Sequence, residues 1–143
     1  MSRIISSDSA GKERTRLTNG LVLAVRELAQ QTGPGVESRD LAAFISIALS
    51  MVAETIDVSV AAWEKRGYWV KADRFRMDWT WSGHYSEKMQ RALLTDDWGT
   101  IAEVAALIAQ KLNKITIPAG NRLGKPWVGA WEELKKRQNG PGD

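Results

Sequence analysis

An all-α fold, a single-domain helical bundle of five or six helices, is what this sequence predicts, and three observations predict it. Residues 38–66 contain no Gly or Pro and are apolar over more than half of a helical circumference, so they form one long helix needing cover on several sides. Most other apolar residues recur at spacings of three and four, the period of a helix face. The Gly- and Pro-containing breaks at 33–35, 67 and 118–126 divide the chain into helix-sized pieces.

Residues 1–13 are Ser, Gly and charge and are expected to be disordered, with the bundle spanning 14–138 and a disordered tail at 139–143. Leu17, Leu21, Ala24, Val25 and Leu28 mark a first helix, ended by Gly33-Pro34-Gly35. The long central helix then starts with Ser38 as N-cap and stops at Lys65-Arg66-Gly67. Leu41, Ile45, Ala48, Val52, Ile56 and Trp63 share its core face, and Phe44, Ile47, Met51 and Val58 form a stripe beside it. A narrow strip containing Ala43, Ser46, Ser50, Glu54 and Asp57 is left for solvent. A third helix carries Tyr68, Ala72, Phe75 and Trp79 on one side and Val70, Met77 and Trp81 on the other, and Ser82-Gly83 is expected to end it. Ser86 caps a short helix through Leu93 and Leu94, and a break follows at 95–99. Thr100 and Glu103 have capping-box spacing and open a helix running to about Asn113. A loop rich in Gly and Pro then wraps the bundle with Ile115 and Ile117 tucked in. A last short helix turns Trp127, Trp131 and Leu134 inward.

At 143 residues the chain is long enough to bury a core without cross-links. It has no Cys, which removes disulfides and thiolate chemistry and suits a reducing cytoplasm. The polar N-terminus lacks the apolar segment of a signal peptide, and the most apolar run, 41–53, is short for a bilayer, so no membrane partner is expected. Net charge is +3, concentrated in 64–91, with seven basic against four acidic residues, and in 114–143, with six against three.

No motif for catalysis or a cofactor emerges. Gly120 to Lys125 looks like a phosphate loop, but three residues rather than four separate the glycines. Pro126 also replaces the magnesium-binding hydroxyl, and no strand precedes the run. Glu54 and Asp57 are expected to pair with Arg74 or Arg76, and His84, the chain's one His, to lie in a loop. Neither a metal nor another cofactor is predicted, and an enzyme ranks last.

Five of the seven Trp lie between Trp63 and Trp98, interleaved with basic residues. The leading expectation is a non-enzymatic interaction or assembly protein that self-associates as a homodimer, or docks on another protein, through Trp69, Val70, Met77 and Trp81. The alternative is a small nucleic-acid-binding subunit in which Lys71, Arg74, Arg76, Lys88 and Arg91 meet phosphates beside stacked aromatics. An enzyme or small-ligand binder working inside the bundle is the third possibility.

Overall fold

Residues 6–139 are described by a computed structural model, and within them the chain forms five α-helices and no strand. These are α1 (Ser7–Ala29), α2 (Val36–Lys65), α3 (Trp69–Leu94), α4 (Trp98–Lys111) and α5 (Ala130–Gln138). The 30-residue α2 is the spine. Leu41, Ile45, Ala48, Val52 and Ile56 are buried along it, while Phe44, Ile47, Met51, Val58 and Trp63 are half-buried. The supposed polar strip is narrower than expected, because Ala43 and Ser46 are buried too.

The contacts of α2 fix the layout. Arg14 of α1 donates to the Thr55 carbonyl and hydroxyl and to the Ser59 hydroxyl at 3.3–3.4 Å, whereas Gly20 lies against Phe44. On the α3 side, Ser86 meets Ser46 and Arg76 meets Glu64. Both α1 and α3 therefore run antiparallel to the spine. The reversal between α2 and α3 is a Schellman turn: the Tyr68 N–H donates to the Trp63 carbonyl and the Gly67 N–H to that of Glu64. Gly67 takes φ +84° there, which a side chain would strain. Against the flanks of this three-helix unit, α4 packs on α1 and α3, and α5 packs on α2.

Several boundaries differ from the sequence expectation, each for a local reason. Helix α1 starts at Ser7, because the Ser6 hydroxyl accepts from the Ser9 N–H, Asp8 suits the first turn and Ala10 is fully buried. The predicted disorder over 1–13 thus does not hold for 7–13, and residues 1–5 lie outside the described residues. Residues 140–143 of the predicted tail also lie outside them, while Asn139 is the C-cap of α5. Helix α2 begins at Val36 with Gly35 as cap. Ser38 sits in its first turn instead, donating to the Gly33 carbonyl at 2.7 Å.

The largest difference is at Ser82-Gly83, where α3 runs straight through. The Ser82 hydroxyl bonds back to the Trp79 carbonyl at 2.7 Å, and Gly83 holds no left-handed conformation. Ser86 is not a cap. It is buried where α2 and α3 cross, its hydroxyl donating to the Ser46 carbonyl at 2.7 Å while the Ser46 hydroxyl donates to the Ser86 carbonyl at 3.0 Å. Two serines facing each other let the backbones approach closely, and that packing outweighs the cost of about 1 kcal/mol for an interior Gly.

Helix α4 is capped by Asp97, not Thr100: its carboxylate accepts from the Thr100 N–H at 3.1 Å and hydroxyl at 2.7 Å. Ile115 and Ile117 are half-buried against the core, Trp127 and Leu134 are buried, and Trp131 is half-buried, as the sequence suggested. By length and composition α2 could cross a membrane, since its apolar window extends past the run that looked too short. Of that window, 56% is buried in the bundle.

Candidate functional site

The Schellman turn at Gly67 delivers the chain into α3 with its first residues facing outward. Tyr68, Trp69 and Val70 are 54%, 60% and 74% exposed, and Met77, two turns on, is 75% exposed. Tyr68 was expected on the buried face with Ala72. It lies outside because α3 begins at Trp69, leaving Tyr68 at the cap with φ −91° and ψ 63°, out of helical phase. Ala72 is buried, and Phe75 and Trp79 are half-buried.

Val70, Arg74, Met77 and Trp81 follow one line along a helix at spacings of four, three and four. The first three of them face solvent. Trp81 leaves the line, stacking on Trp79 with ring centroids 5.5 Å apart and meeting Tyr85 at 5.8 Å. It belongs to a row of rings, Trp63, Phe75, Trp79, Trp81 and Tyr85, in which Trp63 and Phe75 meet edge-on at 4.8 Å. The Arg14 guanidinium lies 4.9 Å from the Phe75 ring and the Lys71 ammonium 4.6 Å from the Trp63 ring. The row is half-buried against the core, so these rings spend their faces on each other and on two cations.

The basic residues divide in the same way. Arg76 pairs with Glu64 at 2.8 Å and Asp73 at 2.7 Å, and those two carboxylates raise its pKa above the ordinary value. They occupy the arginine that had been matched with Glu54 and Asp57, both of which are exposed on α2. Arg74, Lys88 and Arg91 are exposed, but Arg74 and Lys88 are fourteen residues apart, about 21 Å along a helix, with Asp78 and Glu87 between them. His84 is exposed within α3 rather than in a loop. Among the described residues no three His, Asp or Glu side chains gather as a metal site.

Two polar assemblies had no signal in the sequence. Arg39 of α2 binds Asp96 at 2.8 Å and lies over the rings of Trp98, at 5.5 Å, and Trp131, at 6.0 Å, tying the α3–α4 turn and α5 to the spine. That salt-bridging hydrogen bond, with a second from the Trp98 ring N–H, holds the Asp96 carboxyl below the usual range. Asp40 caps α5 from another helix, accepting from the N–H of Gly129 at 3.2 Å and of Trp131 at 2.9 Å. Their partners lie 57 to 92 positions away, beyond the reach of any local pattern.

An apolar cleft of about 340 Å³ opens between the end of α1 and α4, bounded by Val25, Leu28, Pro34, Trp98, Ile101 and Ala105. Its polar members, Gln31 and Ser38, hydrogen-bond each other at 3.4 Å, and no ionisable side chain lines it. The cleft offers neither an acid, a base nor a nucleophile–base pair for chemistry.

Comparison with family models, with curated proteins and with solved structures gives no match. What the chain does has to be read from its surface, where the outer line of α3 and the turn before it are the most distinctive feature.

Proposed function

We propose that this is a non-enzymatic interaction protein of the cytoplasm that self-associates as a homodimer through the outer line of α3. The observation that carries the proposal is the exposure of Val70 and Met77 at 74% and 75%, one above the other on a helix whose opposite side is packed on the spine. With Tyr68 and Trp69 they put four exposed large apolar residues within ten positions, a concentration that marks interaction surfaces. Arg74 between them and Asp78 at the edge supply the charged rim that interfaces carry. A second copy about a two-fold axis is the simplest cover for such a self-facing line.

Trp69 lies a quarter turn from Val70 and contributes at the margin, while Trp81 is packed within its own chain and leaves the interface set. A nucleic-acid partner is less well supported, because Arg76 is neutralised and most of the aromatic row is stacked on itself. Sedimentation velocity tests the proposal. The native protein should run as a dimer and Met77→Glu as a folded monomer, since Met77 is 75% exposed and has little packing to lose; a native monomer at tens of micromolar, about the range of a weak dimer, contradicts it.

A further inference from the structure

We propose that the corner joining α2 to α3 docks on an anionic lipid surface, in competition with the self-association proposed above, because both use Val70 and Arg74. The corner consists of Lys65 and Arg66 at the end of α2, the turn through Gly67, and Tyr68, Trp69, Val70, Lys71 and Arg74 at the start of α3. Lys65, Arg66, Lys71 and Arg74 are all exposed, so four cations flank three consecutive exposed apolar residues from both sides. Trp and Tyr are the residues that settle at the headgroup level of a bilayer, with an apolar body and a polar tip, and Lys and Arg beside them attract anionic headgroups.

The charge is segregated, which is the complementarity that singles out an anionic partner. Residues 64–76 hold five Lys and Arg against two carboxylates, a net +3, as much as the formal charge of the whole chain. Both carboxylates, Glu64 and Asp73, are committed to Arg76 and leave Lys65, Arg66 and Arg74 exposed, while the Lys71 ammonium lies 4.6 Å from the Trp63 ring. The second basic stretch, 114–143, spreads the same excess over 30 residues, and the large apolar residue it exposes is Val128.

Shape favours a surface over a strand of nucleic acid. The hollow at the corner, about 600 Å³ and wide open, is lined by the five consecutive residues 67–71, with no facing wall to make a channel. A single strand is held in a cationic groove that tracks its backbone. Here the cationic line along α3 is broken by Asp78 and Glu87. An open, exposed set of Trp, Tyr and Val beside cations instead matches a plane of headgroups above an apolar layer. Peripheral docking of this kind needs no spanning segment, so it leaves α2 packed in the bundle.

The test is co-sedimentation of the full chain with phosphatidylcholine vesicles, with and without phosphatidylserine, at low and physiological salt. Binding should need the anionic lipid and weaken with salt. Lys65→Gln with Arg66→Gln, and separately Lys71→Gln with Arg74→Gln, should each lower partitioning roughly tenfold or more. Trp69→Ala should weaken it and abolish quenching of Trp fluorescence by brominated lipid. Circular dichroism checks that each variant is folded, and two independent charge pairs guard against one that is not. Met77→Glu, freed from self-association, should bind vesicles at least as tightly as the native chain while changing its sedimentation, so failure here and failure of the dimer proposal are separable. The proposal is overturned by binding to neutral vesicles equal to that on anionic ones, or by none on anionic vesicles at low salt. Tighter binding to a single-stranded oligonucleotide, lost in the same charge variants, also overturns it and assigns the corner to nucleic acid.

Discussion

Asp40 carries more of the fold than its place in the first turns of α2 suggests. Gly129, the residue before α5, has no side chain to cap with, so the Asp40 carboxylate closes both the Gly129 and Trp131 N–H groups from a neighbouring helix. Asp40→Ala should cost about 0.5–2 kcal/mol in a denaturant titration, the loss typical of a missing cap, and should expose α5 to proteolysis first. Asp96 and Asp97 make the turn before α4 sensitive to acid. Hydrogen bonds from Arg39 and Trp98 lower the folded pKa of Asp96, and those from Thr100 lower that of Asp97. A depressed carboxyl pKa gives stability that is fully present above the unfolded value, about 3.9, and that is lost as pH falls through the lower folded value. Thermal melts should thus fall off below about pH 4, and Asp97→Asn should flatten part of that fall. Arg39, Asp40 and the Ser46–Ser86 pair were invisible beforehand because each acts through a partner that only the fold brings near.

At the scale of elements, periodicity was enough wherever one face meets the core. Ile45, Val52 and Ile56 were legible as core from spacing alone and are 0%, 0% and 4% exposed. Ile56→Ala should cost about 2–5 kcal/mol by denaturant titration, from lost burial plus the cavity left behind. Gly67 was legible as a stop because its neighbours also ended the apolar pattern. Ser82-Gly83 misled because the same residue types break a helix in isolation, whereas here the packing of α3 around the buried Ser82 and Ser86 carries the helix through an open Gly83. The two glycines separate these cases. Gly83→Ala should stabilise the protein by about 0.5–1 kcal/mol, since the position is helical and an added Cβ meets nothing within 4 Å. Gly67→Ala should destabilise it by about 1 kcal/mol, because φ is +84° although the space is open. Equal effects from the two substitutions would contradict a continuous α3.

For the whole molecule, the all-α bundle around one long helix was legible because α2 is too apolar for fewer neighbours. The candidate site was only half legible. Composition pointed to the aromatic and basic segment, but could not say that Trp81 turns inward while Tyr68 turns out, since that depends on where α3 begins. Val70, Met77 and Trp69 stay as an outward-facing set on a helix whose other side is packed on the spine. The absence of Cys makes the central proposal directly measurable, because one introduced thiol is the only one present. Under mild oxidation Met77→Cys should cross-link rapidly into a covalent dimer and no larger species, while Glu54→Cys, exposed on α2, stays monomeric. Cross-linking of Met77→Cys no faster than that of Glu54→Cys would contradict a contact between copies along α3.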